Sequence, residues 1–276
     1  MIVLVGDSGR PDVVHAIAQV EPLIRELAGE VLVDLDQRID LADVSPDLVI
    51  NFGGDGSILR AAGRLGERQV RLLGVNFGKF GFLAEYELPE LLVNLEKAVK
   101  GDLPTRQSLL LKVAIEQDGR RVERVVVNDV VLQRAPDNRM AHVYAYYDDA
   151  LIADYFGDGL ILATPLGSTA YNLAAGGALL HPELQAVILT PLCPHTLSLR
   201  PLVVLVAGVL ELKLEGEDSL SITMDGEGTM QLKGGDKVEV RHAAMPMTLV
   251  AHPTRTYFDT LRLKFDWSKR TTVSRQ

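Results

Sequence analysis

The sequence predicts a chain of two parts, an α/β part followed by an all-β part. To about residue 100, short apolar runs alternate with segments of helical spacing, which indicates a parallel, doubly wound sheet. From residue 108 to about 251, the apolar segments are short, rich in Val, Ile, Leu and Thr, and separated by glycines, which favours a largely antiparallel β domain. A length of 276 residues allows two ordinary domains.

Strands and helices are predicted in alternation along the first part. Residues 11–27 have helical spacing, with Pro22 as a kink or as a break between two helices. Residues 89–99 form a predicted helix because a proline stands in its first turn and Gly101 follows its end. A further helix is predicted for 57–65, and strands are predicted for 2–5, 31–35, 48–52 and 70–75.

The second part contains a hairpin and one short helix. Asp118-Gly119 separates two apolar runs and predicts a β-hairpin. A strand ends at Thr164, and Ser168 is expected to cap a helix over 168–175. Asn128-Asp129 interrupts an otherwise apolar strand, and such a pair, if buried, needs partners, which ribose hydroxyls or neighbouring backbone would supply.

Composition excludes several classes of protein. Lys plus Arg number 28 against 37 Asp plus Glu, and the net charge of −9 is the opposite of a protein held to DNA by phosphate contacts. The single cysteine, Cys193, excludes an intrachain disulfide and a Cys-based zinc site and favours a cytoplasmic location. We find no signal-peptide pattern and no run of about twenty apolar residues, so neither nucleic acid nor a membrane is expected as a partner.

The most informative stretch is 53–57, where Gly-Gly-Asp-Gly-Ser joins a buried strand to a helix. Backbone N–H groups of a glycine turn at a helix N-terminus bind phosphates. Asp55 would repel phosphate, so its presence indicates Mg²⁺ binding or acceptance of a proton from an attacking hydroxyl. An isolated Gly-Asp-Gly is more simply a turn, but its place between strand and helix favours function. A second glycine turn over 76–83 follows the next strand, and Lys79 there could face a phosphate.

Several motifs together resemble the NAD kinases, the family that phosphorylates the adenosine ribose 2′-hydroxyl of NAD to give NADP. They are GGDG at 53–56, NFGKFGFL at 76–83, ND at 128–129, the run 158–175, CPHTLSLRP at 193–201, MDGE at 224–227 and YFDTL at 257–261. The resemblance implies a Rossmann-like α/β domain over 1–100, completed by the tail 253–276. It also implies a β-sandwich NAD-binding domain over 101–252, with the nucleotide between the two.

The resemblance also implies the site residues. Asp55 matches the catalytic aspartate, Gly56 lies beside the nucleotide, and Gly53, Gly54, Gly56 and Ser57 form the phosphate-donor loop. The residues implied to bind NAD are Asp55, Gly56, Asn128, Asp129, His142, Asp158, Thr169, Ala170, Tyr171, Asn172 and Ala174. Of these, 128–129 would bind the ribose and 169–171 the adenine. ATP with Mg²⁺ or another divalent metal is the expected donor, and the metal ligands are not apparent.

The family forms homodimers or homotetramers in which neighbouring subunits contribute to the NAD pocket, and the same is expected here. Four residues depart from the family pattern: Asp129 replaces Glu, Leu166 replaces Thr or Ser, Phe80 replaces Leu and Glu227 replaces Gln. Asp225, followed by Gly226, is interpreted as a turn near the site.

Two alternatives remain at this stage. One is a lipid or sugar kinase that shares the glycine turn, which would leave 128–129 and 169–171 without a task. The other is a non-enzymatic nucleotide-binding regulator, which would gain nothing from a carboxylate at Asp55. The sequence does not distinguish ATP from polyphosphate as donor, NAD from NADH, or a dimer from a tetramer.

Overall fold

The structure is a computed structural model that describes residues 1–79, 81–134, 139–215 and 218–267. The chain divides into two compact units. The first contains 1–64, 70–106 and the chain from Thr248 onward, and the second contains 65–69 and 107–247. The first alternates strands and helices and the second consists mainly of strands, so the predicted fold class is confirmed.

The first unit is built on a mainly parallel sheet. Its strands are β1 (Ile2–Val5), β2 (Val31–Asp34), β3 (Leu48–Gly53), β4 (Arg71–Asn76), β5 (Thr105–Ser108) and β18 (Met247–Val250). Their order is β2-β1-β3-β4-β18-β5, and β1–β4 and β18 pair in parallel. Its helices are α1 (Pro11–Ala28), α2 (Leu41–Val44), α3 (Asp55–Leu65), α4 (Leu88–Lys100) and α6 (Tyr257–Lys264).

Helices cover both faces of this sheet. Ile17 of α1 and Leu91 of α4 belong to one buried apolar cluster with alternate residues of β3. On the other face, Ile58 of α3 packs against Gly74 of β4, where any Cβ would overlap the Ile58 side chain. The chain leaves β1 toward β2 and leaves β3 toward β4, so its direction reverses between β1 and β3. In open α/β sheets, ligands bind outside the carboxyl ends of the strands at such a reversal.

The second unit is a β-sandwich. Its strands are β6 (Leu111–Gln117), β7 (Arg120–Val126), β8 (Asp129–Gln133), β9 (Ala141–Tyr147), β10 (Ala150–Gly157), β11 (Gly159–Ala163), β12 (Ala186–Leu192), β13 (Leu202–Leu205), β14 (Leu210–Leu214), β15 (Ser219–Met224), β16 (Glu227–Lys233) and β17 (Lys237–His242). They form two sheets, β10-β9-β14-β17-β6-β7 and β13-β12-β11-β8-β15-β16. Buried side chains of both sheets share one apolar core, which includes Val113, Leu132, Leu162 and Val238.

Several predicted boundaries differ from the structure. Pro22 does not break α1, because its ring lies on the exposed side while Val20 and Ile24 stay buried. α3 begins at Asp55, two residues earlier than predicted. β5 and β18 pair in the first sheet, whereas the resemblance implied that 101–252 form the second domain. A short strand carries no local signal of which sheet it will join.

The predicted helix over 168–175 is a 3₁₀ turn, Gly167–Thr169, followed by the one-turn helix α5 (Tyr171–Ala174). Ser168 does not cap it. Its hydroxyl is buried, donates to the carbonyl of Pro165 at 2.6 Å and accepts the N–H of Leu180 at 3.0 Å.

Among the described residues, no helix is long and apolar enough to cross a membrane.

The chain beyond β18 contacts the loop after β4 and helix α4. Arg255 lies 3.0 Å from the Glu90 carboxylate, and the Tyr257 ring faces that of Phe82 with their centres 6.4 Å apart. The described part of the tail, to residue 267, therefore packs within the first unit against residues near 82–90.

Candidate active site

The glycine turn at the carboxyl end of β3 is short, and hydrogen bonds of side chains from β3 and α3 support it. Only Gly54 separates β3 from α3. Asn51 donates to the hydroxyl of Ser57 at 2.7 Å, and that hydroxyl donates to the Gly54 carbonyl at 2.8 Å. A Cβ on Gly54 would meet no described atom within 4 Å. Because the first N–H groups of a helix have no acceptor within it, this end of α3 offers donors to an anion.

Asp55 joins the two glycine turns. Its Oδ2 accepts the N–H of Phe82 at 2.7 Å, and its Oδ1 accepts those of Leu83 at 3.0 Å and Ala84 at 3.1 Å. Gly81 lies so close that any Cβ would overlap the Asp55 carboxylate. An ionised carboxylate has about four acceptor positions. The described residues use three of them, which leaves one position, on Oδ2, for a further donor.

In the second unit, Asp225 holds the Asn128-Asp129 pair by its backbone. The Asp225 carboxylate accepts the N–H groups of Val127 at 2.8 Å, Asn128 at 2.6 Å and Asp129 at 3.1 Å. The pair lies at the junction of β7 and β8 rather than inside one strand, which corrects the expectation from its apolar neighbours. Asp225 has a φ of 52°, as expected for a turn.

Asp129 and Asp225 place two carboxyl groups close together. Burial, and then the negative charge of Asp225, raise the pKa of Asp129 to about 7. Burial also raises the pKa of Asp225, while its three backbone N–H donors act in the opposite direction. Asp129 therefore changes charge near neutral pH.

The turn that precedes Thr169 lies directly against Asn128. Thr164 donates its N–H to the Asn128 carbonyl at 2.8 Å and its hydroxyl to the Val127 carbonyl at 2.6 Å. Gly167 packs on the Asn128 backbone, where a Cβ would overlap the carbonyl group. The structure thus brings the residues expected to bind ribose beside the segment expected to bind adenine.

The residues 169–174 differ in what they expose. Thr169 and Ala170 are half-buried, and Tyr171 and Ala174 are exposed. Asn172 is fully buried, as part of the support of the turn. It donates to the carbonyls of Ser168 and Ala178, both at 3.1 Å, and accepts the Thr190 hydroxyl at 2.6 Å.

His142 and Asp158 are not brought to Asn128-Asp129 within the chain. Asp129 pairs with Ala163 at the last residue of β11, whereas Asp158 precedes the first. Five residues of strand separate them, about 17 Å. Arg134 binds the Asp158 carboxylate at 2.5 Å.

His142 of β9 lies near the same end of β11 as Asp158. Its Nδ1 lies 2.9 Å from both oxygens of Asp154, and its ring stacks on Phe156 with the ring centres 4.2 Å apart.

The N-terminal and C-terminal domains described as those of ATP-NAD kinase match residues 25–103 and 127–252 of this chain. The NAD kinase of Rhodopirellula baltica is 38% identical over 271 residues, which cover 98% of this chain and 87% of that protein. The NAD kinase of Syntrophotalea carbinolica is 40% identical over 227 residues, covering 81% and 79%. The chain belongs to the NAD kinase family.

Solved structures agree with the fold. Yeast NADH kinase complexed with NADH superposes with a TM-score of 0.89 at 20% identity, covering all of this chain and 90% of that one. The NAD kinase from Archaeoglobus fulgidus in complex with ATP gives a TM-score of 0.75 at 23% identity, covering 96% and 98%. The resemblance inferred from the motifs is therefore confirmed for the family and for the fold.

Two features of the site were missed. Asp225 was interpreted only as a turn, because a carboxylate that binds the backbone of residues about a hundred positions away leaves no local pattern. The contacts between Asp55 and 82–84 were not foreseen, although both turns were expected at one sheet edge.

Phe80, which departs from the family pattern, lies outside the described residues. Among those described, no group of three or more His, Cys, Asp and Glu could hold a metal ion.

Proposed function

We propose that this protein transfers a phosphoryl group from ATP to the adenosine ribose 2′-hydroxyl of NAD and so forms NADP. The observation that carries the proposal is the Asp55 carboxylate, fixed at the start of α3 by three backbone N–H groups with one acceptor position left. A phosphate-binding turn needs no carboxylate, whereas a kinase needs an acceptor for the proton of the attacking hydroxyl. The NAD kinase relatives identify NAD as the carrier of that hydroxyl.

In this proposal, Asp55 Oδ2 accepts the hydrogen bond of the 2′-hydroxyl and takes its proton as the oxygen attacks the terminal phosphorus of ATP. The bond from that phosphorus to the bridging oxygen breaks, and ADP leaves with its electron pair. The N–H groups of Phe82, Leu83 and Ala84 keep the carboxylate in place. The donor loop, Gly53, Gly54, Gly56 and Ser57, holds the donor phosphates in line. Because phosphoryl transfer requires little covalent chemistry of the protein, positioning and charge neutralisation supply most of the rate.

The NAD would be held by residues of the second unit. Asn128 and Asp129 bind the ribose hydroxyls, and Thr169, Ala170 and Tyr171 bind the adenine. Ala174 lines the same surface. The buried contacts of Asn172 support a positioning role for it beneath this segment, in place of direct contact with the nucleotide. Gly56 lies beside the reacting ribose.

His142 and Asp158 would bind NAD from the neighbouring subunit of a homodimer or homotetramer. The separation of about 17 Å along β11 supports this, because one adenine pocket does not extend so far.

A divalent metal, with Mg²⁺ as the first choice, would accompany ATP. Mg²⁺ takes one or two protein carboxylates and completes its coordination with phosphates and water. Because the remaining acceptor position of Asp55 is assigned to the 2′-hydroxyl, the donor phosphates and water would supply the ligands of this metal beside the donor loop. When bound, such a metal neutralises charge on the donor phosphates. The single cysteine supports a reducing, cytoplasmic compartment.

The test is to incubate the purified protein with NAD, ATP and MgCl₂ and to measure NADP with an NADP-specific dehydrogenase. We expect NADP from the wild type. Asp55→Asn should lower kcat by about 10²–10⁴-fold, the scale of a lost general base, and change the KM for NAD much less. Asp102→Asn, at an exposed aspartate of the same unit, is the matched control.

Thermal unfolding of both variants distinguishes lost chemistry from lost folding, because Asp55 also binds the backbone. Near-normal turnover of Asp55→Asn would remove Asp55 from the chemical step. Phosphorylation of a lipid or sugar in place of NAD would contradict the proposed acceptor, and parallel reactions with polyphosphate identify the donor.

A further inference from the structure

Arg10 lies at the sheet reversal where a ligand is expected. It ends the loop that leaves the carboxyl end of β1, and α1 begins at the next residue. β1 and β3 are neighbours in the sheet, and the chain direction reverses between them. The loop of Arg10 and the glycine turn after β3 therefore border the same edge of the first unit.

The Arg10 side chain crosses the end of β3. Its Nη2 donates to the carbonyl of Phe77 at 2.6 Å, and Phe77 directly follows β4. In the order β1-β3-β4, adjacent strands lie about 4.8 Å apart, so a contact from the β1 loop to the β4 loop passes over β3. The N–H of Phe77 in turn donates to the Gly53 carbonyl at 3.2 Å. A single residue, Phe77, thus links the guanidinium to the glycine turn.

The contacts of Arg10 leave part of its guanidinium available. Asp12 accepts from Nε at 3.3 Å and from Nη2 at 2.6 Å. Among the described residues, none accepts a hydrogen bond from Nη1. The side chain is 40% exposed and that of Asp12 is 52% exposed, and an ion pair so exposed contributes little to stability. Stabilisation of the fold by the ion pair with Asp12 therefore does not account for the position of this arginine.

We propose that Arg10 binds the phosphate chain of the phosphoryl donor above the glycine turn. The inference rests on the proposed function, which puts the donor phosphates at Gly53–Ser57. A guanidinium suits this task because its planar N–H groups match phosphate oxygens in pairs. Its charge also balances Asp55 in a chain of net charge −9. The recognised chemistry is the phosphate chain itself, which ATP and inorganic polyphosphates share.

The test measures binding by titration calorimetry without NAD, with ATP and with inorganic tripolyphosphate as separate probes. Arg10→Ala should weaken both by about 10–100-fold, as expected for a lost charge-assisted hydrogen bond to phosphate. The KM for ATP should rise similarly while the KM for NAD stays within about twofold, a small change on this scale. Arg25→Ala removes an exposed arginine of α1 that pairs with Glu21 and should leave both probes unchanged.

Arg10→Gln distinguishes phosphate binding from a link between loops, because glutamine keeps a donor for the Phe77 carbonyl but carries no charge. We expect weak ATP binding in this variant at wild-type thermal stability, with partial recovery in Arg10→Lys. Wild-type ATP binding by Arg10→Ala or Arg10→Gln would overturn the proposal. If the wild type makes no NADP yet Arg10→Ala still loses ATP binding, the proposed function fails and the phosphate site remains.

Discussion

Two aspartates, Asp55 and Asp225, use their carboxylates in the same way. Each accepts three consecutive backbone N–H groups, at 82–84 for Asp55 and at 127–129 for Asp225. Such a carboxylate cannot rotate without breaking several hydrogen bonds, so its free acceptor position has a fixed direction. At Asp55 this orients the proposed base, and at Asp225 it orients the backbone of the proposed ribose-binding pair.

Asp129 should make stability depend on pH. Its pKa is about 7 in the folded protein and near 3.8 without burial, so the folded state keeps a proton that the unfolded state releases. The contribution of Asp129 to stability is therefore full below about pH 4 and is lost as pH rises to about 7. Asp129→Asn should remove this fall. We expect the loss of Tm between pH 5 and pH 8 to be about 5–10 °C smaller in the variant than in the wild type.

Thermal unfolding at the two pH values measures this, with Asp118→Asn as the control, since Asp118 is an exposed carboxylate in the hairpin turn of the same unit. An equal fall of Tm in Asp129→Asn and the wild type would mean that Asp129 is ionised at both pH values.

At the scale of elements, the sequence predicted the strands and helices whose signals are local. β1–β4 and α4 lie within one or two residues of their predicted bounds, because apolar period, proline and glycine all act within a few positions. β18 was included in the second domain but pairs with β4 in the first sheet, since strand pairing across the chain decides its place. The site divides in the same way. The Asp55 turn was predicted from its own residues. The hydrogen bonds from the backbone of 127–129 to the Asp225 carboxylate join residues distant in sequence, so no local pattern predicts them.

α3 allows the role of the glycine turn to be tested by two alanine substitutions. A Cβ on Gly54 or on Gly63 would meet no described atom within 4 Å, and neither glycine has a positive φ. Gly63→Ala should stabilise the helix by about 1 kcal/mol and leave activity unchanged. Gly54→Ala should leave stability equal or slightly higher, yet weaken ATP binding at least tenfold, because the methyl group occupies the space where donor phosphates approach.

Calorimetric binding of ATP and thermal unfolding of the two variants measure these effects. Unchanged ATP binding by Gly54→Ala would show that the donor phosphates do not approach the turn at Gly54.

At the scale of the whole molecule, the proposed NAD residues form two groups within the second unit. Asn128 and Asp129 lie beside the last residue of β11, and Asp158 precedes the first, with Phe156 and the stacked His142 near that same end. We expect the two groups that contact one NAD to come from two copies of the chain. This arrangement makes the assembly a requirement for activity, and it can be tested without knowing the contact surface.

Asn128→Ala and Asp158→Ala should each lose most NAD kinase activity when purified alone, because each variant lacks one of the two groups in every site. In a mixed assembly, one site combines the intact group of each chain and should work normally. Co-expression with two affinity tags and purification through both should therefore restore roughly half of the wild-type activity per dimer. The control is co-expression of Asn128→Ala with itself, which should stay inactive. Failure of the mixed assembly to recover would mean that a single chain supplies both groups to its NAD.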